Sequence, residues 1–163
     1  MHIDCAVEEP WPAMTDWNGL AQDASRAAAQ LAPMLANSRL CTSILFTDDT
    51  CLRALNKEWR GKDKPTNVLS FPMIDANERE TLASDGPPVL LGDIALSFET
   101  CAREAAEKSA SLQDHASHLV IHGLLHLCGF DHDESEAQAN QMEIMEIKAL
   151  AILGIKDPYG RSD

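Results

Sequence analysis

Two histidines four residues apart, His122 and His126, are followed by Gly129 and then by His132. Residues four apart stack on one face of an α-helix, so both rings meet at one point only if the backbone is helical there. Glycine takes up the left-handed conformation without a Cβ clash, which places Gly129 to end the helix and turn the chain back. His132 then arrives on the returning segment as a third ring. Three imidazoles at one point, with no thiolate among them, form the ligand set of a catalytic zinc site whose fourth position is left to water. Imidazole also suits nickel, copper and iron. We therefore expect one zinc ion, or nickel or another divalent metal, on His122, His126 and His132. A histidine pair alone would read as ordinary polar positions on a helix; the glycine and the third histidine give the spacing its chemical meaning.

The 163 residues can bury a core without a metal or disulfide staple, so the expected metal serves chemistry rather than the fold. Residues 2–7 read as a first strand, followed by a turn at Pro10, Trp11 and Pro12. Apolar residues at helical spacing predict a helix from Trp17 to Leu35 that loses regularity near Pro33. Cys41–Thr47 is β-branched and aromatic and predicts a strand. A helix capped by Thr47 or Asp48 follows to Trp59, with Gly61 to end it. Thr66–Phe71 reads as a strand stopped by Pro72, residues 73–88 as a polar surface loop, and Val89–Phe98 as a long buried strand. Helices are predicted at 98–108, 111–128 and 134–153, with capping boxes at Ser111/Asp114 and Asp133/Glu136 and with Gly154 after the last. Strands and helices mix early and helices dominate later. The expected fold is therefore α+β, a single domain over residues 1–163 with one layer of helices on a sheet of about four strands and the zinc site at the end of a central helix. The pattern does not fix the strand order.

With 13 basic and 26 acidic residues the net charge is −13, which repels phosphate backbones and anionic membranes. Any nucleic acid must meet a local basic patch or be presented by a partner. Such a patch exists: Arg53, Lys57, Arg60, Lys62 and Lys64 fall close together, opposed by Glu58 and Asp63. The N-terminus lacks the basic start and apolar stretch of a signal peptide, and no apolar run approaches a membrane span, so a cytoplasmic protein with no membrane partner is expected. The odd number of cysteines, five with no CxxC pair, fits reduced thiols. Cys128 reads as a buried thiol beside the site. His115 and His118 stand farther back along the helix from His132 and are left out of the ligand set, with a supporting place behind the ligands open to either.

The histidine spacing matches that of the metzincin proteases, HExxHxxGxxH, at all but one position. Gly123 replaces the glutamate that acts there as general base, which argues against peptide hydrolysis by that route. The segment His122-Gly-Leu-Leu-His-Leu-Cys-Gly-Phe-Asp-His132 instead closely resembles the signature of the bacterial YbeY family of rRNA maturation endoribonucleases. Leu55-Asn-Lys-Glu-Trp-Arg60 with Pro65-Thr-Asn-Val-Leu-Ser-Phe-Pro72, and Leu91-Gly-Asp-Ile-Ala95, resemble two further family motifs in the same order, and Met142…Glu146 also fits. At Asn67 some family members carry aspartate; an amide can join a hydrogen-bond network but cannot be a carboxylate base.

The resemblance implies a zinc-dependent, single-strand-specific endoribonuclease that matures the 3′ end of small-subunit rRNA and serves ribosome quality control, with single-stranded RNA, rRNA and the small subunit and its proteins as partners. It also implies a role for Arg60, whose guanidinium can hold a phosphate by two parallel hydrogen bonds. Asp131, next to His132, is placed to orient a ligand. No residue is assigned as general base, since an RNA substrate can supply its own 2′-hydroxyl. Two other readings compete: a metzincin-like metallopeptidase, and a non-catalytic ribosome assembly factor with a structural metal.

Overall fold

Burial alternates along Leu40–Thr47, the second strand (β2), and the sheet assembles around it. The computed structural model describes residues 1–131 and 135–160. The first strand, His2–Val7 (β1), runs parallel to β2, and the long strand Val89–Ser97 (β4) runs parallel to β2 on its other side. Val68–Pro72 (β3) pairs antiparallel with β4 at the edge, giving the order β1-β2-β4-β3. An edge strand tolerates Pro72, which has no N–H to donate to a neighbour. The expected four-stranded α+β domain is the one observed.

Six α-helices are present among the described residues: Trp17–Leu31 (α1), Asp49–Arg60 (α2), Ala76–Thr81 (α3), Phe98–Glu107 (α4), Leu112–Leu127 (α5) and Glu136–Ile152 (α6). Helix α5 is buried nearly all round, as a central helix must be, with Leu119, Val120, Ile121, Leu124 and Leu125 almost inaccessible. Alanines at 21, 24 and 28 let α1 pack closely in the same core. At Gly123 a Cβ would come within 3.0 Å of the Ile94 side chain, so α5 sits directly on β4 at this point.

The structure refines four expectations. The first helix stops at Leu31, and Pro33–Ala36 forms a separate 3-10 turn, because proline cannot continue the α-helical ladder. Helix α2 lies on the opposite face of the sheet, where Leu52 packs with Leu69 and Ala95, so helices cover parts of both faces rather than one. The loop at 73–88 contains α3, begun by a capping box between Asp75 and Glu78; it buries no residue and so leaves no apolar periodicity to read. The last helix begins at Glu136 under a Ser135 cap rather than an Asp133 cap, and Asp133 itself lies outside the described residues. Among the described residues no helix is long and apolar enough to cross a membrane.

Gly92 has a steric reason to be glycine. A Cβ there would lie 2.5 Å from the Phe71 carbonyl oxygen and 2.6 Å from Leu127 Cδ2. Gly92→Ala is therefore expected to destabilise the fold by about 1–3 kcal/mol through overpacking. Thermal unfolding checks this at roughly 2–4 °C per kcal/mol for a domain of this size, and an unchanged melting temperature would contradict the close approach.

Candidate functional site

Spacings of three and four residues place His115, His118, His122 and His126 along one side of α5. The His122 and His126 rings meet edge to face at 4.6 Å between centroids, near the C-terminal end of the helix. That end is formed as the sequence suggests: Gly129 has φ +96°, and the Phe130 N–H bonds back to the Leu125 carbonyl. His132 lies outside the described residues, so two of the three expected ligands can be placed. Among the described residues alone no group of three His, Cys, Asp or Glu is arranged to hold a metal.

Glu146 on α6 faces this row of histidines. Its neighbours on the buried face are Met142, Met145, Ala149 and Leu150, and it is itself only 1% exposed. A carboxylate so deep needs several donors to remain charged, and it has them. Oε1 accepts from His118 Nε2 at 2.5 Å and from the Tyr159 hydroxyl at 2.6 Å; Oε2 accepts from His122 Nδ1 at 3.0 Å. Burial pushes this carboxyl up, but the bonds and charge interactions with His118 and His122 outweigh it and hold it far below the usual carboxylate range.

An ionised Glu146 has no proton to give, and this assigns both rings. His122 donates to Glu146 from Nδ1, the contact that carboxylate–histidine–metal sites use to orient a ligand bound through Nε2. His118 donates from Nε2, and its buried Nδ1 has no hydrogen-bond partner among the described residues. Burial also pushes His118 toward its neutral form. The donor set of His122 and His126, with His122 aligned by Glu146, therefore fits a divalent metal. His118 is engaged with Glu146 through Nε2.

A second pair supports the helix one turn earlier. His115 Nε2 lies 2.8 Å from Glu104 Oε1, and Asn67 Nδ2 donates to the same oxygen at 2.9 Å. Burial raises Glu104, while donation from His115 and Asn67 lowers it below its usual range, the larger effect together. Asn67 thus acts as a donor to a carboxylate, a bond that an ionised aspartate there could not make.

The site opens into a cavity of about 700 Å³ whose wall includes Arg60, Asn67, Arg79, His122, His126 and Glu146, together with Asp131 and Tyr159. Arg60 reaches it from the last turn of α2, which Gly61 ends at φ +69°. Cys128 packs against the core, and burial pushes its thiol up to about 12, so it is a poor thiolate donor. Gly123 faces Ile94, whose side chain would have to give by a few tenths of an ångström to admit a Cβ there.

Sequence reasoning missed Glu146, Tyr159 and Arg79 as site residues. Glu146 had two signals, the family pattern Met142…Glu146 and its place at helical spacing among the apolar residues Met142, Met145, Ala149 and Leu150. Arg79 had none: it comes from α3, bonds the Ile74 carbonyl at 3.1 Å and lies where a side chain on Gly129 would be.

Fold and site together define an α+β protein with a histidine pair and a buried carboxylate beside an arginine-lined cavity. The sequence profile of the family described as Endoribonuclease YbeY matches residues 8–154. Similar proteins include the Endoribonuclease YbeY of Erythrobacter litoralis, 57% identical and covering 98% of each chain. That of Novosphingobium aromaticivorans is 49% identical over 99% of this chain and 97% of its own. The solution structure of TM1509 from Thermotoga maritima shares the fold with a TM-score of 0.56 at 18% identity, covering 93% of this chain and 91% of that one. The chain belongs to the YbeY family.

Proposed function

We propose that this protein is a single-strand-specific, metal-dependent endoribonuclease that matures the 3′ end of small-subunit rRNA and takes part in ribosome quality control. One observation carries the reading: Arg60 and the His122/His126 pair, far apart in sequence and on opposite faces of the sheet, line one cavity. Relatives of nearly equal length that bear the name endoribonuclease support it. We assign the activity to a single domain over residues 1–163 working in the cytoplasm, with rRNA and the small subunit and its proteins as partners.

His122, His126 and His132 would hold zinc, or nickel or another divalent metal in its place. When bound, the cation supplies Lewis acidity at the phosphate or the nucleophile. Arg60 meets two phosphate oxygens through its guanidinium and offsets the charge that develops on them during phosphodiester cleavage. Arg79 adds a second cation to the same wall. Glu146 keeps His122 in one tautomer and one orientation. The peptidase reading loses its support at Gly123, which stands where that mechanism needs its general-base glutamate. The reading as a non-catalytic assembly factor with a structural metal is disfavoured by the relatives of nearly equal length that bear the name endoribonuclease.

A chain with net charge −13 needs a local patch for RNA. Arg53 is tied to Asp63 at 2.8 Å, which narrows that patch to Lys57, Arg60, Lys62 and Lys64. About three phosphate contacts would weaken single-strand binding roughly tenfold or more between about 50 and 200 mM salt. Cleavage rates at subsaturating RNA check this, and flat activity across that range would remove the patch from the model of binding. The function itself is tested by metal analysis of the purified protein, followed by incubation with single-stranded and duplex RNA, with and without small subunits. Cleavage confined to single strands is expected. Casein hydrolysis with no RNA cleavage would overturn the reading.

A further inference from the structure

We propose that Tyr159 is a positioning residue for the metal ligand His122, acting through Glu146, so that the segment after α6 is a working part of the metal site. The inference rests on the reading of His122 as a ligand. Tyr159 is the chain's single tyrosine and lies 13 residues beyond Glu146. Its hydroxyl donates to Glu146 Oε1 at 2.6 Å, and its ring stands edge to face on His118 at 5.4 Å. The Tyr159 backbone is fixed by a turn in which its N–H bonds Asp157 Oδ1 at 2.8 Å, and the Lys108 ammonium lies 5.8 Å from its ring centroid.

The carboxylate has two oxygens with separate duties. Oε1 is fixed by two donors, His118 and Tyr159, and this fixes the plane of the group; Oε2 is then presented to His122 Nδ1. Without the hydroxyl, Oε1 keeps one side-chain donor, His118, and the carboxylate is freer to rotate about its last bond. The His122 ring, aimed by Oε2, loses its fixed direction with it. Tyr159 is 37% exposed and lies at the rim of the cavity rather than in the core. Tyr159→Phe therefore removes the hydrogen bond while keeping the ring and its packing.

Zinc affinity measured by chelator competition is the test, with melting of the metal-free protein and the visible spectrum of the cobalt(II)-loaded protein as companion readouts. Outer hydrogen-bond partners of metal ligands are worth about 10–100-fold in affinity. Glu146→Gln is expected to lose that much, and Tyr159→Phe a severalfold share of it, with the metal-free Tyr159→Phe still melting cooperatively, a few degrees below wild type for the one lost bond to a buried carboxylate, and with its cobalt bands shifted. The single tyrosine also reports directly by absorbance. Burial and the carboxylates of Glu146, Glu143 and Asp157 push its ionisation well above the ordinary value, with His118 and Lys108 as the other polar neighbours. Glu146→Gln should move it back toward ~10. Tyr159→Phe binding zinc as tightly as the wild type, with unchanged cobalt bands, would overturn this inference while leaving the metal site intact. Wild-type protein that binds zinc no better than His122→Ala would overturn the metal reading and this inference with it.

Discussion

His126→Ala protein is expected to purify folded, without metal, and with no RNA cleavage above that of chelator-treated wild type. His126 is half-buried on the last turn of a helix whose core contacts come from Leu119, Ile121, Leu124 and Leu125, so alanine, the best helix former, leaves the packing in place. The loss falls on the metal. Its affinity should drop by more than the about 10–100-fold that losing an outer hydrogen-bond partner costs, because a bond to the ion itself is gone. Metal analysis and melting of the metal-free protein separate this from misfolding. Retention of a full equivalent of metal by His126→Ala would remove it from the ligand set.

Arg60→Glu should give the complementary phenotype, metal retained and cleavage lost. The side chain is exposed at the C-terminal end of α2, where an acidic residue opposes the helix dipole at a cost of about 0.3–1 kcal/mol, too little to unfold a domain. At the cavity the effect is larger, since a group that meets the transition-state charge is replaced by one that repels the phosphate. Removing one such donor elsewhere costs roughly 10²–10³-fold in rate, and charge reversal should reach at least that. Arg60→Lys restores the charge without the paired geometry, so partial recovery is expected. If Arg60→Glu cut single-stranded RNA at the wild-type rate, the phosphate half of the site would have to lie elsewhere, with Arg79 as the next residue to examine.

The legible parts of this protein are those where one residue type solves a local problem. Gly129 and Gly61 end their helices in the left-handed conformation as their positions suggest, Ser111 and Asp48 cap theirs, and Pro33 breaks the first helix. The resemblance to a known family supplied Arg60 and the order of the motifs, and the fold places Arg60 on the same cavity as His122 and His126. What could not be read depends on distance in sequence. The order β1-β2-β4-β3 follows from crossovers that no local pattern encodes. The partners of Glu146 lie 13, 24 and 28 residues away, and no spacing rule links them. The Leu91-Gly-Asp-Ile-Ala95 motif divides in the same way: Gly92 is explained by the backbone of Phe71, while Asp93 opens onto the other face of the sheet, in the groove with Asp4 and Trp59.

The most direct measurement is cleavage of one single-stranded RNA and its duplex by the same protein before chelation, after chelation and after reloading with zinc. Single-strand cleavage that disappears on chelation, returns with about one equivalent of zinc and never extends to the duplex is the predicted result. Single-strand cleavage that persists undiminished in fully metal-free protein would contradict the central claim that His122, His126 and His132 hold the ion on which catalysis depends.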